Sequence, residues 1–99
     1  MYIIESMNIG CHVPIAKGIE KAPEMAAKWG CEAMQIFTHP PQGGRIPELD
    51  AETVKNFKAE IKKSGIKAVY IHAPYYINLA SENNQVYYGS ISAIRKNLE

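Results

Sequence analysis

Val69-Tyr70-Ile71-His72-Ala73-Pro74-Tyr75-Tyr76-Ile77-Asn78-Leu79-Ala80 is the stretch on which the reading of this chain turns. An apolar, β-branched run ends on a histidine, a proline stops the strand, and two tyrosines follow. In a parallel α/β protein the C-terminal end of a strand is where ligands and catalytic groups sit. His72 therefore stands where a metal ligand or a catalytic base would work.

Working outward, the chain alternates strand and helix three times. Asn8-Ile9-Gly10-Cys11-His12-Val13 is a short apolar run closed by Pro14. Helical spacing follows from Ile19 to Trp29, with Ile19, Ala22, Met25, Ala26 and Trp29 on one face. Proline is tolerated only in a first turn, so Pro23 places the start of the regular helix near Ala22. Gly30 supplies the stop. Ala33-Met34-Gln35-Ile36-Phe37-Thr38 reads as the second strand, running into a loop from His39 to Pro47 with no regular element. Asp50 caps a second helix whose inner face carries Val54, Phe57 and Ile61, and Gly65 ends it. The third strand spans Lys67 to His72, and Ser81 caps a last helix with Tyr87, Ile91, Ile94 and Leu98 in register.

The pattern βαβαβα with near-continuous apolar strands belongs to a parallel sheet covered by helices. Right-handed crossovers put all strand-end loops on one rim. His12, the loop from His39 to Arg45 and the loop from His72 to Asn78 are expected to line that rim. Ninety-nine residues make at most one domain. Three parallel strands with two open edges are an unusual free-standing unit, and the chain reaches Glu99 with no stop signal, as if cut.

Composition is that of a globular protein, 46% hydrophobic and 21% charged, with a net charge of +1. Neither nucleic acid nor a membrane is signalled by charge alone. Lys55, Lys58, Lys62, Lys63 and Lys67, interleaved with Glu52 and Glu60, read as a solvated helix face. No apolar stretch approaches the ~20 residues of a membrane helix, and Met1–Ser6 lacks the pattern of a secretion signal. Cys11 and Cys31 are expected as reduced thiols in a cytoplasmic protein, although their number permits one disulfide.

Taken from the residues, His72 is a metal ligand or a histidine that caps its own loop. Tyr75 and Tyr76 stack on bases or pack beneath the loop. Asn78 bonds the loop backbone. Gly43 and Gly44 allow close backbone approach, and Arg45 is a phosphate contact or a solvated side chain. His12 reaches a phosphate or sits satisfied in the rim. No hydrolytic triad and no standard phosphate loop is present.

Together these segments resemble the endonuclease IV family of zinc-dependent apurinic/apyrimidinic endonucleases. The matching pieces are Ile9-Gly10-Cys11-His12-Val13 with Ala16 and Gly18, then Gln35-Ile36-Phe37-Thr38, then His72-Ala73-Pro74-Tyr75 with Ile77-Asn78-Leu79-Ala80. The resemblance covers residues 8–98 and implies the first three βα units of a TIM (β/α)8 barrel, a fold of ~250 residues. It implies a cluster of three zinc ions, with His72 as one ligand and the others beyond Glu99. It implies that Tyr75 belongs to a DNA-penetrating loop and that the loop from His39 to Arg45 is a second DNA wedge. The family's arginine and tryptophan in that wedge align with Gln42 and Gly44, while Arg45 remains. Pro14 stands for a small residue and Lys17-Gly18 for Gly-Gly. These departures touch DNA bending more than zinc.

The implied reaction is hydrolysis of the phosphodiester 5′ to an abasic site in double-stranded DNA. His72 is the expected zinc ligand, and Tyr75, Gln42, Arg45 and His12 are the expected DNA contacts. With one ligand for three metals, the isolated chain is expected neither to hold zinc tightly nor to cut DNA. The alternatives are a sugar isomerase or epimerase relative on the same barrel, and a non-catalytic fragment that self-associates through its open sheet edges.

Overall fold

The computed structural model describes residues 7–45 and 47–99. The leader reading of Met1–Ser6 and the loop residue Ile46 lie outside the described residues. The elements follow the expected order: β1 (Gly10–His12), α1 (Ala22–Lys28), β2 (Ala33–Ile36), α2 (Ala51–Ser64), β3 (Ala68–Ile71) and α3 (Asn84–Leu98). A 3₁₀ turn, Ile19–Lys21, leads into α1. Pro23 lies in the first turn of α1 and is fully buried there, the one helical place where a missing N–H costs nothing.

The strands form one sheet in the order β1-β2-β3. β1 and β2 run parallel, pairing Gly10 with Ala33, Cys11 with Met34 and His12 with Gln35. A Cβ on Gly10 would sit 2.0 Å from the carbonyl oxygen of Ala33, so only glycine fits this pairing. Lys67 N–H then donates to Glu32 O at 2.7 Å, tying the entry of β3 to that of β2.

The chain divides into two compact units. The first holds the described residues 7–36 and 49–70. Its core is Val13, Ala22, Ala26, Met34, Ile36 and Ile66, with Met25, Phe57 and Ile61 packed against it. Met34 and Ile36, two residues apart in β2, face this core together. Asp50 caps α2 as expected, its carboxylate accepting from Thr53 N–H at 2.6 Å. The hydrogen bonds from Thr53, backbone first and hydroxyl second, hold the Asp50 carboxyl below the usual carboxylate range.

Two local expectations are corrected here. Trp29 is not on the buried face of α1: it stands just past the last helical residue, where the periodicity stops applying, and is 56% exposed. β1 is not buried either; each of its three residues is exposed.

The second unit holds residues 37–48 and 71–99. α3 is capped not by Ser81 but by Asn83, whose side chain accepts from Gln85 N–H at 2.9 Å and Val86 N–H at 3.2 Å. Ser81 acts one step earlier, its hydroxyl accepting from Asn83 N–H at 3.1 Å. The buried residues of α3 are Ser90 and Ala93, with Tyr87, Ile91 and Ile94 half-buried. Ser90 accepts from Asn78 N–H at 2.9 Å, which docks the loop after β3 onto α3.

Candidate functional site

The second unit builds its site from two chain segments that leave strand ends. His72 directly follows β3, before Pro74 stops further pairing. Its Nδ1 lies 2.7 Å from its own loop's Ala73 carbonyl oxygen. A carbonyl only accepts, so Nδ1 carries the ring proton and the lone pair is on Nε2. This arrangement, a ring N–H held by a backbone carbonyl, is the usual partner of a metal-ligating imidazole.

Two aromatic rings border His72. Phe37 lies 4.6 Å away, centroid to centroid, tilted by 49°. Tyr75 stands edge-on at 6.0 Å to His72 and at 5.7 Å to Phe37. Phe37 thus forms the floor between histidine and tyrosine, while the Tyr75 ring remains 64% exposed. Phe37 entered the sequence reading only as part of a motif; its place one residue past β2 was the available signal.

The loop from His39 is locked to the His72 loop. Tyr75 N–H donates to Pro41 O at 2.9 Å, and Gly43 N–H closes a turn onto Pro40 O at 3.1 Å. Gly43 has φ +116°, which side-chain-bearing residues rarely adopt, and it lies against the ring of Tyr76. His39 itself is buried at 4% exposure. Its Nε2 meets Tyr76 OH at 3.2 Å and its Nδ1 meets Thr38 Oγ1 at 3.0 Å. Thr38 donates its hydroxyl proton to Asn97 Oδ1, and Asn97 Nδ2 donates to Ala93 O at 2.7 Å. The proton direction follows by elimination. Thr38 Oγ1 has spent its proton, so it accepts from His39 Nδ1–H, and Nε2 accepts from Tyr76 O–H. Sequence reading named His39 only as the start of a loop and missed this chain.

Gln42 and Arg45 are exposed on the same loop and take no part in the aromatic cluster. In the first unit, His12 is exposed, and its Nδ1 lies 3.1 Å from Gln35 Nε2, its ladder partner. An open hollow of about 330 Å³ lies there, lined by Gly10, Cys11, His12, Met34, Gln35 and Tyr70 among others. Asn78 does what was expected of it, its Oδ1 accepting from Ala80 N–H at 3.0 Å. Among the described residues, no three or more of His, Cys, Asp and Glu gather to hold a metal ion. No helix among them is long and apolar enough to cross a membrane.

Comparison with known proteins gives the context. The model of a family described as xylose isomerase-like TIM barrel matches residues 23–99. The probable endonuclease 4 of Halothermothrix orenii is 37% identical over 90 residues, covering 91% of this chain and 32% of that protein. The probable endonuclease 4 of Symbiobacterium thermophilum is 38% identical over 93 residues, covering 94% of this chain and 33% of that protein. Among solved structures, endonuclease IV from Thermus thermophilus superposes with a TM-score of 0.85 at 35% identity, over 93% of this chain and 35% of that one. This chain spans about a third of the length of those relatives. Its strands and helices are accordingly three βα units of a TIM barrel.

Proposed function

We propose that this chain, which belongs to the xylose isomerase-like TIM-barrel family, is the first part of an endonuclease IV-like DNA-repair nuclease that hydrolyses the phosphodiester 5′ to an abasic site with zinc. The observation that carries the reading is His72. It sits at the C-terminal end of β3, where this fold keeps its chemistry. Its Nδ1 lies 2.7 Å from the Ala73 carbonyl oxygen, which supports a reading in which Nε2 would coordinate the metal. One such imidazole fits zinc as a single neutral ligand. In this reading His72 is one ligand of a larger set; the relatives this chain matches are about three times its length.

Bound zinc lowers the pKa of a water molecule and stabilises charge in the transition state. The chain's own residues hold and shield. His72 would supply a lone pair to the metal, with the rings of Phe37 and Tyr75 bordering it. The exposed ring of Tyr75 offers a stacking face for a base beside the abasic gap. Arg45 and Gln42, on the loop that Pro41 ties to Tyr75, contact phosphate oxygens, as does His12.

The test is incision of a duplex with one abasic site, with and without zinc, by the full-length product of the gene and by the 99-residue chain. The full-length product is expected to cut 5′ to the abasic site only with metal, and the isolated chain not to cut. Metal-dependent incision by the isolated chain would overturn the reading of an incomplete ligand set.

A sugar isomerase or epimerase is the second reading, favoured by the description of the matched family. Sugar turnover without incision by the full-length product decides for it. Self-association through open sheet edges is a third, in keeping with the exposure of all three residues of β1. Light scattering on the eluting chain tests it, and a clean monomer rejects it.

A further inference from the structure

Cys11 and Cys31 are free thiols. They are 20 residues apart in sequence, yet their sulfur atoms are 3.7 Å apart. The backbone on both sides is held. Cys11 is paired with Met34 in the β1–β2 ladder. Glu32 N–H donates to Ile9 O at 2.8 Å, and Ile9 N–H donates to the Glu32 carboxylate at 2.8 Å. Cys31 N–H donates to Ala26 O at 3.0 Å, fixing it to the end of α1. The two thiols therefore face each other because of the fold around them. Cys11 is exposed, which gives a small oxidant access, and Cys31 is half-buried against the core.

We propose that Cys11 and Cys31 form an oxidant-sensitive dithiol that closes to an intramolecular disulfide with hydrogen peroxide or a low-molecular-weight disulfide. With peroxide, one thiolate attacks an oxygen, the O–O bond breaks, and a sulfenic acid forms with loss of one water after protonation. The second thiol attacks that sulfur, the S–O bond breaks, and a second water leaves. Both sulfurs are oxidised by one electron and the peroxide is reduced by two. A disulfide needs sulfurs about 2 Å apart, so closure takes a side-chain rotation from van der Waals contact. Partial desolvation, then the hydrogen bond and charge of Cys31, push the Cys11 thiol up. Closure therefore quickens as pH rises, since the thiolate is the reacting form.

The experiment treats the reduced 99-residue chain with hydrogen peroxide and counts thiols, then reads the intact mass and the linked peptides. The expected result is loss of both thiols and of two hydrogen masses per chain, with the Cys11 and Cys31 peptides joined and dithiothreitol restoring the starting mass. The closed form should melt roughly 10 °C higher, because the bridge restricts the unfolded chain. Cys11→Ser is the control, since its exposed side chain leaves the core intact; it should keep one titratable thiol and show no intramolecular link. The proposal is overturned if both thiols survive peroxide, if each proceeds separately to a sulfinic acid, or if bridges form only between chains.

Discussion

Two histidines in the same unit, His39 and His72, follow successive strands and are used in opposite ways. His39 is 4% exposed and both of its ring nitrogens are spent within the protein, on Thr38 and Tyr76. His72 is half-buried, and its Nδ1 proton goes to the Ala73 carbonyl of its own loop. One histidine ties two loops together; the other is the one proposed above for coordination. A strand-end position nominates a histidine, and the partners of its two nitrogens decide its role.

Replacing each histidine separates the roles. In the full-length product, His72→Ala should lower zinc-dependent incision by about 100-fold or more while leaving the unfolding midpoint nearly unchanged. If the midpoint falls and incision persists, the two assignments are reversed. His39→Ala should instead cost about 2 kcal/mol of stability in denaturant unfolding, because it empties a buried side-chain position and removes the link between Thr38 and Tyr76. Tyr75→Ala should weaken binding to an abasic duplex by roughly tenfold, the contribution of one stacked ring, with little change in folding. Tyr76→Phe removes only the O–H donated to His39 and should lower stability by about 1 kcal/mol, with duplex binding retained.

The smallest effect lies in the other unit, as a control on the stability measurements. The Asp50 carboxyl is held low in the folded chain by Thr53. Its contribution is complete above the ordinary carboxylate range and is lost as pH falls through the folded-state value. The unfolding curves of the parent and Asp50→Ala should therefore differ slightly at neutral pH and merge in acid. A gap that persists in acid would show that the cap acts through something other than the charge.

The order of elements was legible because its signals are local. Pro23 marked a first turn, Asp50 a cap, and alternating strand and helix the parallel sheet. The errors came where a decision is made at a distance or between neighbours. Ser81 and Asn83 are both good caps, and only the side chain's reach to the first helical turn separates them. Trp29 has helical spacing but falls after the helix ends. β1 reads as buried from its apolar run, yet burial depends on what packs against a strand and not on the run itself. In the site, His72 and Tyr75 could be nominated from the chain because both lie within one turn of a strand end. His39 could not be assigned its role, because its network is closed by Tyr76, 37 residues on, and by Asn97, which is 59 residues from Thr38.

The central claim concerns one nitrogen atom of His72. Long-range proton–nitrogen correlation of the histidine rings in mildly alkaline buffer, before and after zinc is added to the full-length product, reads it directly. The account predicts a proton on Nδ1 of His72, an unprotonated Nε2 whose signal moves when zinc is added, and His39 signals that stay in place. A proton on Nε2 of His72, or a zinc response at His39 and none at His72, would contradict it.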